Sequence, residues 1–263
     1  MSDTQHLTLI TGGTKGIGLA TALAFARVGS QCIITYGWGS VEEEAVTALF
    51  AEKNYKIPLL FQADVASVED TSNLMQGIVK KFGKVKIDVF VSNVCCVNFV
   101  RSFADYSEKA LLQSIKYSTW PVVAYIQQMY QTLGRYPGYV IGLSSRSHES
   151  FQQDYDFAAV SKALMETLIK YLSCHLLDHK VIFNLIRIGI VETDSMLAVL
   201  GKTWKKYLVS GTEMDAASVA KTIVMLCSGL MDGIRGQIIT ADKGYDFAEG
   251  LQDLYADQKT LKP

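Results

Sequence analysis

Apolar positions along the chain fall into short, nearly continuous runs separated by longer stretches with helical spacing. The runs are LTLIT (7–11), CIITY (32–36), IPLLFQAD (57–64), IDVFVSN (87–93), GYVIGLSS (138–145), KVIFNLIRIG (180–189) and GQIITAD (236–242). A strand with one wet face alternates apolar and polar side chains. A run apolar at nearly every position needs cover on both faces, as in a parallel sheet between helical layers. Helical patterns occupy 17–28, 41–53, 67–82, 105–132, 154–178 and 215–229. The alternation covers the whole length without a repeat or a Pro/Ser-rich linker, so residues 1–263 are expected to form one doubly wound α/β domain. Residues 190–214, IVETDSMLAVLGKTWKKYLVSGTEM, break the rhythm. They follow the carboxyl end of a strand, where such sheets bind ligands, and are expected to form a substrate lid.

Composition narrows the class. Of 263 residues, 49% are hydrophobic and 19% charged, enough apolar material for a sizeable core. A formal charge of −1 gives no general attraction to nucleic acid or to a membrane surface. Cys32, Cys95, Cys96, Cys174 and Cys227 lack metal-site spacing, and an odd number without a C-x-x-C pair fits free thiols in a reducing compartment. His6, His148, His175 and His179 likewise suggest no metal site, although His148 lies in a loop near the candidate chemistry below. No signal peptide is evident and no apolar run is long enough to span a bilayer, so a cytoplasmic protein with no membrane or nucleic-acid partner is expected.

The candidate chemistry begins in LTLITGGTKGIGLATALAFARVG. Gly12, Gly16 and Gly18 stand between the first strand and the first helix, with Thr14, Lys15 and Ile17 among them. Glycines here permit a tight turn and let the backbone approach a pyrophosphate lying on the positive end of the helix. A strand before and a helix after turn a weak glycine triplet into a Rossmann-type dinucleotide site. NAD selection normally uses an Asp or Glu at the end of the second strand, to accept from the ribose 2′-OH. The strand here ends Thr35-Tyr36-Gly37, without a carboxylate, and Lys15 could pair with a 2′-phosphate, so NADPH is expected over NADH. Trp38 either stacks on adenine or packs, and Glu42–Glu44 read as a solvated helix start.

The spacing G-x-x-x-G-x-G resembles the short-chain dehydrogenase/reductase superfamily. That resemblance implies that Asp64, with Val65, contacts adenine, and that Asn93 in SNVCC (92–96) belongs to the nucleotide site. Cys95 and Cys96 replace small residues there; neighbouring cysteines bridge poorly, and a small buried role is expected for each. The superfamily's Asn-Ser-Tyr-Lys set is only half present. Ser145 ends the fifth strand and Lys162 lies in the next helix, but the tyrosine position is Ala158 and the asparagine position Ile115.

Tyr155 offers a replacement. Seven residues are nearly two helical turns, so Tyr155 and Lys162 share a face about 10 Å apart along the axis. An acid moved one turn away suits reduction of an α,β-unsaturated thioester, in which hydride adds at the β-carbon while charge develops on a carbonyl oxygen two carbons away. Ala158 would leave the intervening space open. The Y-x6-K spacing resembles the enoyl-acyl-carrier-protein reductases of the superfamily, closest to their NADPH-dependent subgroup. LSSRSHESFQQDYDFAAVSKALMETLIKYL, ETD (192–194) and IRGQIITADKG (234–244) carry the likeness. It implies that Tyr155 hydrogen-bonds an enolate oxygen, that Lys162 holds the nicotinamide ribose, and that Thr193 meets the carboxamide. A small-molecule acyl thioester or an acyl-carrier protein is the implied partner, in a homotetramer or dimer. Ile188-Gly189 and Lys243 depart from the subgroup. Lys202, Lys205 and Lys206 either meet a carrier's acidic surface or phosphate, or form a solvated face. A carbonyl reductase and a catalytically silent nucleotide-binding homologue remain the alternatives.

Overall fold

Consecutive residues of a strand point to opposite faces, and the apolar runs put both sets to use. Leu9, Phe90, Val140 and Leu185 enter one core layer. Their neighbours Ile10, Val91, Ile141 and Ile186 enter the other. The computed structural model describes residues 6–37, 43–194, 196–197 and 211–248. Seven strands, β1 (Leu7–Ile10), β2 (Gln31–Tyr36), β3 (Leu59–Gln62), β4 (Val89–Ser92), β5 (Tyr139–Ser144), β6 (Ile182–Ile188) and β7 (Gln237–Ala241), form one sheet in the order β3-β2-β1-β4-β5-β6-β7. All six neighbouring pairs are parallel. The order reverses between β1 and β4, which opens the crevice where sheets of this kind take ligands.

Helices α1 (Gly16–Arg27), α2 (Glu43–Glu52), α3 (Val68–Phe82), α4 (Glu108–Ser118), α5 (Trp120–Leu133), α6 (Asp156–His175) and α7 (Ala216–Leu226) follow the predicted alternation. Their ends have local causes. Ser67 accepts the Asp70 amide at the start of α3, and Asp215 accepts the Ser218 amide before α7. Gly134, left-handed at φ 73°, ends α5.

The expected continuous helix 105–132 is instead a short 3₁₀ turn, Phe103–Asp105, followed by α4 and α5. Thr119 serves as C-cap of one and N-cap of the next, with Pro121 just inside α5. A proline lacks the amide that would continue α4, but it is tolerated in a first turn. The outermost strands β3 and β7 are only partly covered, unlike the five between them. Val191 and Met214, both buried, form a parallel bridge that closes the base of the 190–214 insert. Most of the expected lid, including Lys202, Lys205 and Lys206, lies outside the described residues, as do Trp38 and Glu42. No described helix is long and apolar enough to cross a membrane.

Candidate active site

The crevice at the carboxyl ends of β1, β2 and β4 holds a cavity of about 300 Å³ lined by Gly12, Thr35, Tyr36, Gly37, Ala63, Asp64, Val65, Val94 and Tyr117. Gly12 is left-handed at φ 62°, where a side chain would be strained and would meet Val94. A Cβ on Gly18 would lie 2.3 Å from the Gly12 carbonyl oxygen. These glycines therefore form a close-packed cradle at the start of α1, shaped for backbone approach to an anion. Thr14 is buried within it, Ile17 is half-buried, and Lys15 is the exposed N-cap residue. Thr193 meets the cradle from the other side, its methyl 3.3 Å from where a Cβ on Gly16 would stand. Its hydroxyl accepts the Met196 amide.

Side chains fix the cavity walls. The Asn93 side-chain amide donates to the carbonyls of Thr11 and Gly12, both at 3.0 Å. Asn93 thus braces the glycine turn from behind. Asp64 accepts the Ala66 amide at 2.8 Å and the Tyr117 hydroxyl at 3.1 Å, which closes one end of the cavity. Glu43 is exposed, as a helix-start carboxylate should be, but it also accepts the Tyr36 hydroxyl. That hydrogen bond is the main reason the Tyr36 phenol is pushed up to about 12.

The catalytic candidates gather where β5, α6 and the loop after β4 meet. Tyr155 is the N-cap residue of α6 (φ −111°, ψ 10°), not a full helical residue, yet its carbonyl still accepts the Ala159 amide. The seven-residue step to Lys162 therefore runs along one helix. The Tyr155 hydroxyl donates to the Cys95 sulfur. Burial, then Cys95, holds this phenol well above the ordinary tyrosine range. A phenol in that state stays protonated and donates. Lys162 is buried, and its Nζ donates to the Leu143 carbonyl at 2.8 Å. Ser145 Oγ pairs with Ser147 Oγ at 2.7 Å, so these contacts join Ser145 to its own loop and not to Tyr155.

Two expectations need correction. Ala158 is 0% exposed, so the position four before the lysine is packed over and not open space. Cys95 is exposed, not a small buried residue, and its sulfur interacts with the Tyr155 hydroxyl. Cys96 is half-buried, its thiol pushed up chiefly by burial.

Sequence reasoning missed a polar cluster beneath these groups. Glu166, one turn beyond Lys162 and buried, accepts from the Ser144 hydroxyl at 2.7 Å and from Arg187 at 2.9 Å. Arg187 also reaches Glu149 at 3.0 Å, and His148 Nε2 lies 3.2 Å from Glu166. The loop after β5, which leads to Tyr155, is thus tied to α6 and β6 by charge. Tyr117 and Ser118 were missed too. Their only signal was the polar face of α4 in a segment otherwise read as apolar helix.

A family model described as enoyl-(acyl carrier protein) reductase matches residues 12–246. An NADH-type enoyl-acyl-carrier-protein reductase of Aquifex aeolicus is 24% identical over 247 residues, 90% of each chain. The Bacillus cereus enoyl-acyl-carrier-protein reductase, solved with NADP+ and an indole naphthyridinone, superposes with a TM-score of 0.78 at 22% identity, covering 94% of this chain and 99% of that one. A variant of the actinorhodin polyketide ketoreductase, solved with NADPH, gives 0.80 at 19% identity over 92% and 97%.

Proposed function

The chain belongs to the enoyl-acyl-carrier-protein-reductase-like family of short-chain dehydrogenases/reductases and is an oxidoreductase of that class; from this premise we propose that it reduces the C=C bond of an α,β-unsaturated thioester with NADPH. The observation that carries the reading is the buried Ala158 beside a phenol at Tyr155. No acid can stand one turn before Lys162, and the one that exists stands a further turn away.

The glycine cradle suits a dinucleotide's pyrophosphate, and the cavity beside it suits the adenosine end. Gly12, Gly16 and Gly18 with Thr14 and Ile17 take the pyrophosphate, Asp64 and Val65 border the adenine, and Asn93 keeps the cradle's shape. Lys162 holds the nicotinamide ribose, and Thr193 faces the carboxamide. Lys15, exposed at the cradle, would pair with a 2′-phosphate, while Glu43 accepts the Tyr36 hydroxyl and brings a carboxylate to the end of β2. The nicotinamide cofactor supplies a hydride when bound. The chain's own work is to fix the thioester carbonyl against the Tyr155 hydroxyl, whose hydrogen bond strengthens as charge grows on that oxygen. Ser145 orders the loop leading to Tyr155.

The second reading, a ketoreductase, draws on the likeness to a polyketide enzyme and on Ser145 at the strand end, but it needs an acid that Ala158 removes. Trp120 and Tyr130 on α5, with Val160, Leu164 and Tyr171 on α6, are exposed apolar side chains suited to assembly as a homo-oligomer.

Replacing Tyr155 by Phe removes one hydroxyl and tests the reading. Turnover of an enoyl thioester should fall about 100–1,000-fold, or about 3–4 kcal/mol, in kcat and not in nucleotide affinity. A variant with unchanged kcat would remove Tyr155 from the mechanism.

A further inference from the structure

Among the described residues that line the crevice cavity, Asp64 alone carries a formal charge. Around it stand Ala63, Val65, Val94 and the half-buried Tyr117. Each of its carboxylate oxygens is held by one donor. Oδ1 accepts the Ala66 amide at 2.8 Å, and Oδ2 accepts the Tyr117 hydroxyl at 3.1 Å. A carboxylate oxygen offers two acceptor positions, so each keeps one to spare, and an ionised carboxylate donates nothing. A ligand edge that meets Asp64 must therefore supply an N–H or O–H, and the apolar walls beside it suit a flat ring.

The backbone at Asp64 is fixed as well. Its amide donates to Asp70 Oδ2 at 2.7 Å, and its carbonyl accepts the Ser67 amide at 3.0 Å. These bonds lie within one turn of chain. The Tyr117 hydroxyl comes instead from α4, 53 positions further along. Ser118, the next residue of α4, accepts the Cys96 amide at 2.9 Å. Two consecutive helical residues thus hold the turn after β3 and the loop after β4, which flank the crevice.

We propose that Tyr117 is a specificity-determining residue for the nucleobase: by holding Asp64 Oδ2 it presents the carboxylate to the 6-amino group of adenine, and so selects against a 6-oxo base. A carboxylate already held by two donors loses little freedom when the base arrives. Adenine offers it an N–H, whereas hypoxanthine turns a carbonyl oxygen to the same place and leaves two acceptors facing each other. This proposal rests on the reading of the cavity as the adenosine end of the dinucleotide site.

The test titrates wild type, Tyr117→Phe, Asp64→Asn and the double variant with NADPH and with its hypoxanthine counterpart, following dihydronicotinamide fluorescence. Wild type should bind NADPH at least about 10-fold more tightly than the hypoxanthine nucleotide. Tyr117→Phe should weaken NADPH about 5-fold and change the other nucleotide by no more than about 2-fold. Asp64→Asn should bring the two affinities together, because a carboxamide can donate to the oxo base as readily as accept from the amino base. In that background Tyr117→Phe should change the ratio no further.

A wild-type ratio in Tyr117→Phe, beside an Asp64→Asn variant that has lost it, would overturn the role of Tyr117 and leave Asp64 at the base. Equal losses for both nucleotides in Tyr117→Phe would mean that the side chain only shapes the cavity, and would also overturn the proposal. So would tighter NADPH binding, since the hydroxyl would then compete with the base for the carboxylate. If wild type binds neither nucleotide or both alike, or Asp64→Asn keeps the wild-type ratio, the adenosine placement itself fails and the proposal falls with it. The wild type and the single Asp64 variant separate that case from the others.

Discussion

Gly18 has no room for even a methyl group, since its Cβ would sit 2.3 Å from backbone oxygen and 2.7 Å from the Asn93 amide. Gly18→Ala should push the cradle apart and weaken nucleotide binding at least about 10-fold by titration, whichever nucleotide is used. Lys15→Ala should act differently. The side chain is exposed and braces nothing, so its loss should cost about 10-fold in NADPH affinity and leave NADH unchanged. Parallel titrations of the two nucleotides decide the matter, and equal losses would remove Lys15 from 2′-phosphate recognition. At this scale the sequence was readable wherever a residue's job is local. The glycines announce their turn by their spacing. Cys95 did not announce its partner, because the thiol meets Tyr155 only after chain segments 60 residues apart converge. Ala158 misled for the same reason: a small side chain reads as a gap until its neighbours have closed over it.

Helix α6 carries the site. Tyr155 caps it, Lys162 holds Leu143 from its second turn, and Glu166 holds Ser144 from the next. Two successive helical turns thus grip two successive residues at the end of β5. Arg187 from β6 closes the arrangement, and removing it would leave the Glu166 carboxylate buried with only Ser144 and His148. Arg187→Met should therefore destabilise the protein by about 3 kcal/mol, near the lower end for breaking a buried pair, as measured by denaturant unfolding. A loss under about 1 kcal/mol would show that the pair is solvated in solution. Ala158→Tyr should overpack the same helix, lowering stability by about 1–3 kcal/mol or more, and should not restore ketone reduction. Elements were the most legible level of the sequence, because a doubly covered sheet forces runs of apolar residues. The break between α4 and α5 was hidden by the apolar spacing that continues across it, although Pro121 was its visible cause.

Across the whole molecule, several buried neutral acids resist ionisation. Burial pushes the Cys32 thiol from 9.0 up to about 12, and the Tyr125 phenol from 10.0 up to about 12. Cys227 is raised by burial as well. Each is neutral below its pKa and anionic above it, so the unfolded chain loses these protons first. Their stabilisation is complete below about pH 9 and is lost as pH rises from there toward 12. The melting temperature should accordingly fall steadily above pH 9, and Cys32→Ala should flatten part of that fall. A flat profile to pH 11 would contradict the burial of these groups. The proposed oligomer makes a second whole-molecule prediction: light scattering should give two or four times the chain mass of 29.0 kDa, and charged substitutions at Leu164 and Tyr171 should reduce it.

The reaction itself is tested most directly by mixing purified wild-type protein with NADPH and, in separate reactions, crotonyl-coenzyme A or acetoacetyl-coenzyme A, and following nucleotide oxidation. A displaced acid at Tyr155 with Ala158 packed behind it predicts turnover of the enoyl thioester at least about 10-fold faster than of the keto thioester. NADPH oxidation with the keto thioester alone would contradict it.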